Sequence, residues 1–320
     1  MRTSFFISAA ALALSACGDA TPPPAPLQST SSDESGWSIT PTRDLNVFFD
    51  CLEAEDITLV SAHRGGAYPG YPENAIETMA YVLEQTPAMV EVDVATSADG
   101  VLYLMHDDTL DRTTTGSGDV DGLNWLEIKD LRLEDKDGAV TDFNPPRFDD
   151  ALAFAKSRTI MQIDFKQSTR FEDVVDEVKR QGADNRVVYI SYSMAAARKL
   201  HRLHPEAMIS LSVNSQSELN RAVAAGVPAD RLIGFTGIED PRPRLFSLLN
   251  DRDVEVIFGT LGGRNSIDRE IARTGDEMRY DALADQGVDI IATDRPLEAH
   301  TALEAGNSGP RAGLCGIAKS

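Results

Sequence analysis

Positive charge is scarce in this chain of 320 residues, where 30 Lys and Arg stand against 51 Asp and Glu for a formal net charge of −21. Bulk attraction to nucleic acid or to an anionic membrane is therefore excluded, and any phosphate the chain holds needs a metal or a local cluster of cations. Long apolar runs are lacking too. The run FFISAAALAL that follows Arg2 is too short to span a bilayer as a stable helix. Cysteine is nearly missing, with Cys17, Cys51 and Cys315 alone. No internal repeat is visible, which leaves one large domain rather than an array. The remaining composition, 42% apolar and 25% charged, is that of an ordinary globular protein with a sizeable core.

The ends of the chain read differently from the middle. Residues 1–16 read as a secretory signal. Its ending, Leu14-Ser15-Ala16-Cys17, resembles the bacterial lipobox, which implies cleavage before Cys17 and lipidation of its thiol. Acyl chains contribute about 0.8 kcal/mol per buried CH₂, so a multiply acylated Cys17 makes a durable anchor. Residues 17–40 are rich in Pro, Ser and Thr and read as a flexible tether. The folded domain is assigned to 41–306 and a C-terminal tail to 307–320. These segments place the domain outside the cytoplasm, facing the periplasm, with the membrane touched only through the lipid anchor. In an exported chain the leftover pair, Cys51 and Cys315, suggests a disulfide, with two free thiols as the alternative.

Between these ends, short runs rich in Val and Ile recur: ITLVSA, MVEVDVAT, VLYLMH, IMQIDF, VVYISY, AMISLSV, LIGFTG, EVIFGT and DIIATD. Each has the length and composition of a buried parallel strand. Helical patterns separate most of them, as where Ile76, Met79, Ala80 and Leu83 fall on one face. The alternation predicts a parallel α/β fold. Only SADG lies between MVEVDVAT and VLYLMH, and Asp99-Gly100 suits a two-residue hairpin turn. VLYLMH then folds back antiparallel, with His106 opposite Asp93, and eight parallel strands remain. The domain's length is close to the roughly 250 residues typical of a (β/α)₈ TIM-type barrel. A closed barrel sets its first and last elements side by side, within reach of a Cys51–Cys315 bridge. Residues 107–147 form a long connection, expected as a lid or wall of the site.

In such a barrel function sits at the C-terminal ends of the strands. His63 and Arg64 end the first strand. Glu91 and Asp93 share one face of the second, and Asp164 and Lys166 share one face of the fourth apolar run. Three carboxylates at one mouth repel one another, and a single divalent cation resolves the conflict. All-oxygen ligation suits Mg²⁺ or Ca²⁺. The cation, Arg64 and Lys166 make a cationic pocket fit for a phosphate ester, and His63 and His106 supply an acid and a base.

The ordered set HRG, PEN, ExD, HDDTLDRTTTG, an acid-x-Lys strand and GVDIIATDRP resembles the glycerophosphodiester phosphodiesterase family over about residues 57–300. The resemblance implies a TIM-type barrel and metal-dependent cleavage of a small glycerophosphodiester to an alcohol and glycerol phosphate. It implies His63 and His106 as the acid/base pair, Glu91, Asp93 and Asp164 as metal ligands, and Arg64 and Lys166 as phosphate ligands. A glycerol hydroxyl as internal nucleophile, giving a cyclic phosphate first, fits the same residues. Three positions depart from the family pattern: Asp164 stands for the usual Glu, Phe258 for a Trp, and Ala75 for the Thr of PENT. The first two bear on substrate choice. Alternative readings are a sphingomyelinase D-like or lysophospholipase D-like lipid phosphodiesterase, a lyase that stops at the cyclic phosphate, and a binding module without catalysis. Among nearby residues, Glu73 reads as support for Arg64, Asp294-Arg295 as a structural ion pair, and Asp107, Asp108, Asp111 and Arg112 as charge pairing in the lid. His201, His204 and His300 read as surface histidines. Gly65-Gly66 is expected to let the backbone approach the phosphate.

Overall fold

The computed structural model of the protein describes residues 36–41 and 44–320. Cys17 and the signal sequence lie outside them. The chain opens with β1 (Trp37–Ile39), α1 (Leu45–Ala54), β2 (Leu59–Ala62), α2 (Ile76–Gln85), β3 (Ala88–Thr96), β4 (Leu102–Leu104) and α3 (Trp125–Ile128). Next come α4 (Phe148–Ala155), β5 (Met161–Phe165), α5 (Phe171–Gln181), β6 (Val187–Ser191), α6 (Met194–Leu203), β7 (Met208–Ser212) and α7 (Gln216–Ala224). The last part holds β8 (Leu232–Phe235), α8 (Pro243–Asn250), β9 (Glu255–Gly259), α9 (Ile267–Thr274), α10 (Arg279–Ala284), β10 (Ile290–Thr293), α11 (Pro296–Gly306) and β11 (Ile317–Lys319).

Eight strands, β2, β3 and β5 to β10, run parallel and close into a barrel where β2 pairs with both β10 and β3. The period of two along each strand sorts the side chains. On β3, Val90, Val92 and Val94 face outward and join the layer between barrel and helices, with Val82 of α2 and Val174 and Val178 of α5. Met89 faces inward with Leu59, Val188, Met208, Ile233 and Ile290, and these fill the floor of the barrel. Several helices start at a serine whose side chain accepts from a first-turn N–H, as Ser193, Ser215 and Ser266 do, and α5 stops at Gly182 in the left-handed region.

The hairpin β3–β4 forms, with a register one residue away from expectation. Val94 lies opposite Leu104 and Thr96 opposite Leu102, so Met105 rather than His106 faces Asp93. The turn holds three residues, with Gly100 at φ +83° and Ser97 N–H donating to the Val101 carbonyl. The Ser97 hydroxyl donates to Asp99 and accepts from the Val101 N–H, and these side-chain bonds stabilise the longer loop.

Both flanking segments reach further into the fold than 41–306. Trp37–Ile39, within the expected tether, pairs antiparallel with Ile317–Lys319 of the expected tail. Each strand brings an apolar residue to bury, Ile39 and Ile317, beside Phe48, Phe49 and Leu52 of α1. Together they plug the floor, where Cys51 and Cys315 are disulfide-bonded with Cα atoms 5.7 Å apart. Among the described residues no helix is long and apolar enough to cross a membrane.

Candidate active site

The C-terminal mouth of the barrel opens on a cleft of about 210 Å³. Its lining includes His63, Glu91, His106, Asp164 and Lys166, but neither Arg64 nor Asp93. Glu91 and Asp93 project inward from β3, and Asp164 projects from β5 at the position paired with Asp93. A carboxylate oxygen of each lies within 4.8 Å of the other two, and all three residues are buried. Lys166 Nζ stands 2.5 Å from Asp93 and 2.8 Å from Asp164. Burial works to raise the Asp93 carboxyl, but Lys166, His106 and the Asn74 bond together outweigh it and hold that group below its ordinary value. Glu91 has no cation in contact; burial beside Asp93 pushes its carboxyl well up. Asp164 Oδ1 is buried without a hydrogen-bond partner. Three inward carboxylates, one orphaned oxygen and a carboxyl that resists ionisation are the donor set a hard divalent cation fits.

Each histidine has its Nδ1 engaged by a carboxylate. His63 lies in the 3₁₀ turn His63–Gly65 after β2, with Nδ1 2.7 Å from Asp294 Oδ1. Burial opposes its charge, but the Asp294 bond and nearby Glu91 prevail and raise the imidazole above its ordinary value. Asp294 is held in turn: its N–H donates to the buried Asp268, and its Oδ2 accepts from Gly262 N–H. His106 follows β4 with Nδ1 2.6 Å from Asp107 Oδ1. Arg112 grips both oxygens of Asp107, at 2.6 and 2.8 Å, and keeps that carboxyl far below the usual range. The same guanidinium reaches both oxygens of Glu73, at 2.9 and 2.8 Å. Glu73 also accepts from Arg64 Nη1 at 3.0 Å. One chain of ion pairs thus joins Arg64 to His106.

The backbone turn after β2 needs left-handed conformations, at Arg64 (φ +52°), Gly65 (+81°) and Gly66 (+85°). This aims Arg64 N–H at Glu91 Oε2, 2.8 Å away. The glycines let this turn pack closely on neighbouring helices. A Cβ on Gly66 would stand 2.8 Å from Val82 and 3.0 Å from Pro296, and one on Gly65 would stand 3.0 Å from Met79. The close approach is therefore to α2 and α11.

Several further assignments change. Asp294 pairs with His63, while Arg295 pairs with Glu277 and Glu298. Phe258 points outward against Phe246 and is absent from the cleft, where β9 presents Ile257 instead. His204 and His300 are buried rather than superficial. His204 lies 2.9 Å from both Tyr189 and Asp184, and His300 packs edge-on to Trp37. Neither approaches the cleft. Two site contacts were given no role in the sequence reading, that of Asn74 in the PEN stretch and that of Tyr192. Asn74, at φ +58°, donates to Asp93 Oδ2 and accepts from Asp93 N–H. Tyr192 donates its hydroxyl to Asp164 at 3.1 Å.

Residues 63–298 match the glycerophosphoryl diester phosphodiesterase family. The chain belongs to that family. A glycerophosphodiester phosphodiesterase of Caldanaerobacter subterraneus subsp. tengcongensis is 29% identical over 161 residues, covering 48% of this chain and 66% of that protein. The bovine glycerophosphodiester phosphodiesterase 1 is 39% identical over 80 residues, 25% of this chain and 24% of its relative. The chain thus spans under two thirds of the length of these relatives. Among solved structures, a glycerophosphoryl diester phosphodiesterase from Parabacteroides distasonis superposes with a TM-score of 0.81 at 27% identity, over 89% of this chain and 100% of that one. An Oleispira antarctica phosphodiesterase in complex with sn-glycerol-3-phosphate shares the fold, with a TM-score of 0.59 at 19% identity over 78% of this chain and 97% of that one. In this family member the matched span takes in both histidine–carboxylate pairs and all three inward carboxylates.

Proposed function

We propose that the protein hydrolyses glycerophosphodiesters to an alcohol and glycerol 3-phosphate in a reaction that depends on a divalent cation. One observation carries the reading: two imidazoles, each with Nδ1 fixed by a carboxylate, line the cleft that holds the Glu91–Asp93–Asp164 cluster. With Nδ1 engaged, Nε2 of each ring is the atom left for substrate, so one histidine takes a proton from the nucleophile and the other gives one to the leaving alkoxide. Family membership supports the same reaction class. Glu91, Asp93 and Asp164 would hold Mg²⁺ or Ca²⁺, which supplies positive charge beside a phosphoryl oxygen when bound. Lys166 offsets the charge of Asp93 and Asp164 and offers its ammonium to the phosphate. Arg64 is turned by Glu73, and its buried Nε, without a hydrogen-bond partner, stands 3.8 Å from Asp93 Oδ2; from there its positive charge would favour the same anion. Cys17 would tether the enzyme to a membrane outside the cytoplasm.

The test is release of choline and glycerol 3-phosphate from glycerophosphocholine by purified protein with Mg²⁺, with Ca²⁺ and with EDTA. Release with a metal and its loss in EDTA are expected. Undiminished release in EDTA would overturn the role of the carboxylate cluster, and no release from folded protein with either metal would overturn the reaction class. Phosphorus NMR of the products distinguishes a released cyclic phosphate from the monoester.

A further inference from the structure

The two oxygens of Asp164 are held unequally. Oδ2 accepts from Lys166 Nζ at 2.8 Å and from the Tyr192 hydroxyl at 3.1 Å, while Oδ1 is buried and accepts from no described residue. Asp93, by contrast, has Oδ1 against Lys166 and Oδ2 against Asn74. The torsion that turns a carboxylate is broad and roughly two-fold, so a single partner does not fix which oxygen faces the cluster. Lys166 is a poor anchor by itself, because its ammonium rides on a flexible stem and divides its contacts between Asp93 and Asp164. The second donor comes from another strand. Tyr192 stands at the exit of β6, which pairs with β5. Its loop is fastened on the far side: Ser191 Oγ donates to the Ser193 carbonyl, and Ser193 Oγ accepts from Ala196 N–H at the start of α6. Tyr192 is 75% exposed, so its ring adds little to the core, while its hydroxyl reaches the cleft.

We propose that Tyr192 is a positioning residue of the cation site: its hydroxyl and Lys166 hold Asp164 by Oδ2 so that Oδ1 faces the divalent cation. The proposal rests on the reading of Glu91, Asp93 and Asp164 as cation ligands given above. Tyr192 takes no ligand position itself. An aspartate in place of the family's usual glutamate has one torsion fewer with which to bring an oxygen to the ion, so the direction of its carboxylate counts for more. Removing a partner that orients a ligating group commonly weakens metal binding by about 10- to 100-fold.

The experiment measures Mn²⁺ binding to the purified full chain by electron paramagnetic resonance of the free ion, with Mg²⁺ as competitor, for the parent and for Tyr192→Phe. Phenylalanine keeps the exposed ring and removes only the hydroxyl. The Kd for Mn²⁺ should rise about tenfold in the variant, and the Mg²⁺ needed to displace it should rise with it. The thermal midpoint of the cation-free protein should stay where it was, because the ring lies outside the core. In choline release from glycerophosphocholine, the Mg²⁺ concentration giving half the maximal rate should rise by the same factor. An unchanged Kd for Mn²⁺ in Tyr192→Phe would overturn the proposal and leave the cation site standing. An unchanged Kd with a raised KM for glycerophosphocholine would do so by making the hydroxyl a substrate contact. A lowered thermal midpoint that accounts for the lost affinity would overturn it by making the bond a structural one. No Mn²⁺ bound by the parent would overturn the cation site and the proposal together.

Discussion

At the N-terminal ends of the barrel strands, Leu59, Met89, Val188, Met208, Ile233 and Ile290 point inward and meet Phe48, Phe49 and Leu52 of α1. Two residues further along the same strands the inward positions hold Ser61, Glu91, Ser210 and Ala292, and the mouth above them holds His63, Asp93, Asp164 and Asp294. One end is closed by hydrocarbon, a disulfide and the pairing of β1 with β11; the other opens on buried charge. Parity along a strand assigns a side chain to the interior, and its height along the strand assigns it to cohesion or to chemistry. The price of concentrating ions at the mouth is met at the floor.

This division is broken by any variant that moves activity and stability together. The largest separate effect is expected at the mouth. His63→Ala should lower kcat by about 10²- to 10⁴-fold, the usual share of one acid or base, with little change in thermal midpoint by circular dichroism. At the floor, replacing Cys51 and Cys315 together by Ala should cost about 2–5 kcal/mol in denaturant unfolding and leave kcat/KM where it was. Between these stands Arg112, which touches no cleft atom but clamps Glu73 and Asp107. Arg112→Ala should lower kcat about 10- to 100-fold by freeing His106 and Arg64, and Arg112→Lys should restore only part, because an ammonium lacks the planar fork that bonds both oxygens of Glu73 and of Asp107. The smallest effect sharpens the picture of the floor. Asp289, whose carboxylate accepts from Val256 N–H, is pushed up to about 7 by burial. A carboxyl raised in the folded state contributes stability below its ordinary value near 4 and loses it as pH rises through 7. Asp289→Asn should therefore be more stable than the parent by on the order of 1 kcal/mol at pH 8, with the gap closing by pH 4.

The barrel and the inward carboxylates were legible because both depend on short-range pattern. The alternation in MVEVDVAT alone puts Glu91 and Asp93 on one face, and Val-rich runs between helical patterns leave few folds to choose from. The hairpin was legible in kind but not in register, since Ser97 and Asp99 side chains decide the loop length. The pairing of His63 with Asp294 was not legible: closure of the barrel brings the end of the last strand beside the end of the first. Phe258 was misplaced by one position of parity. His204 reads as superficial from HRLH because the groups that bury it, Tyr189 and Asp184, come from another stretch of chain. The terminal strands escaped notice because three residues each carry too little periodicity to register.

The bridge between Cys51 and Cys315 encloses nearly every loop of the mouth within one covalent ring. A protease that cuts a loop between them therefore opens the ring without parting it. The nicked chain keeps both fragments joined at the floor, migrates as fragments only after reduction, and can retain its strands around an interrupted rim. Proteolytic damage at the working end is thus decoupled from loss of the molecule.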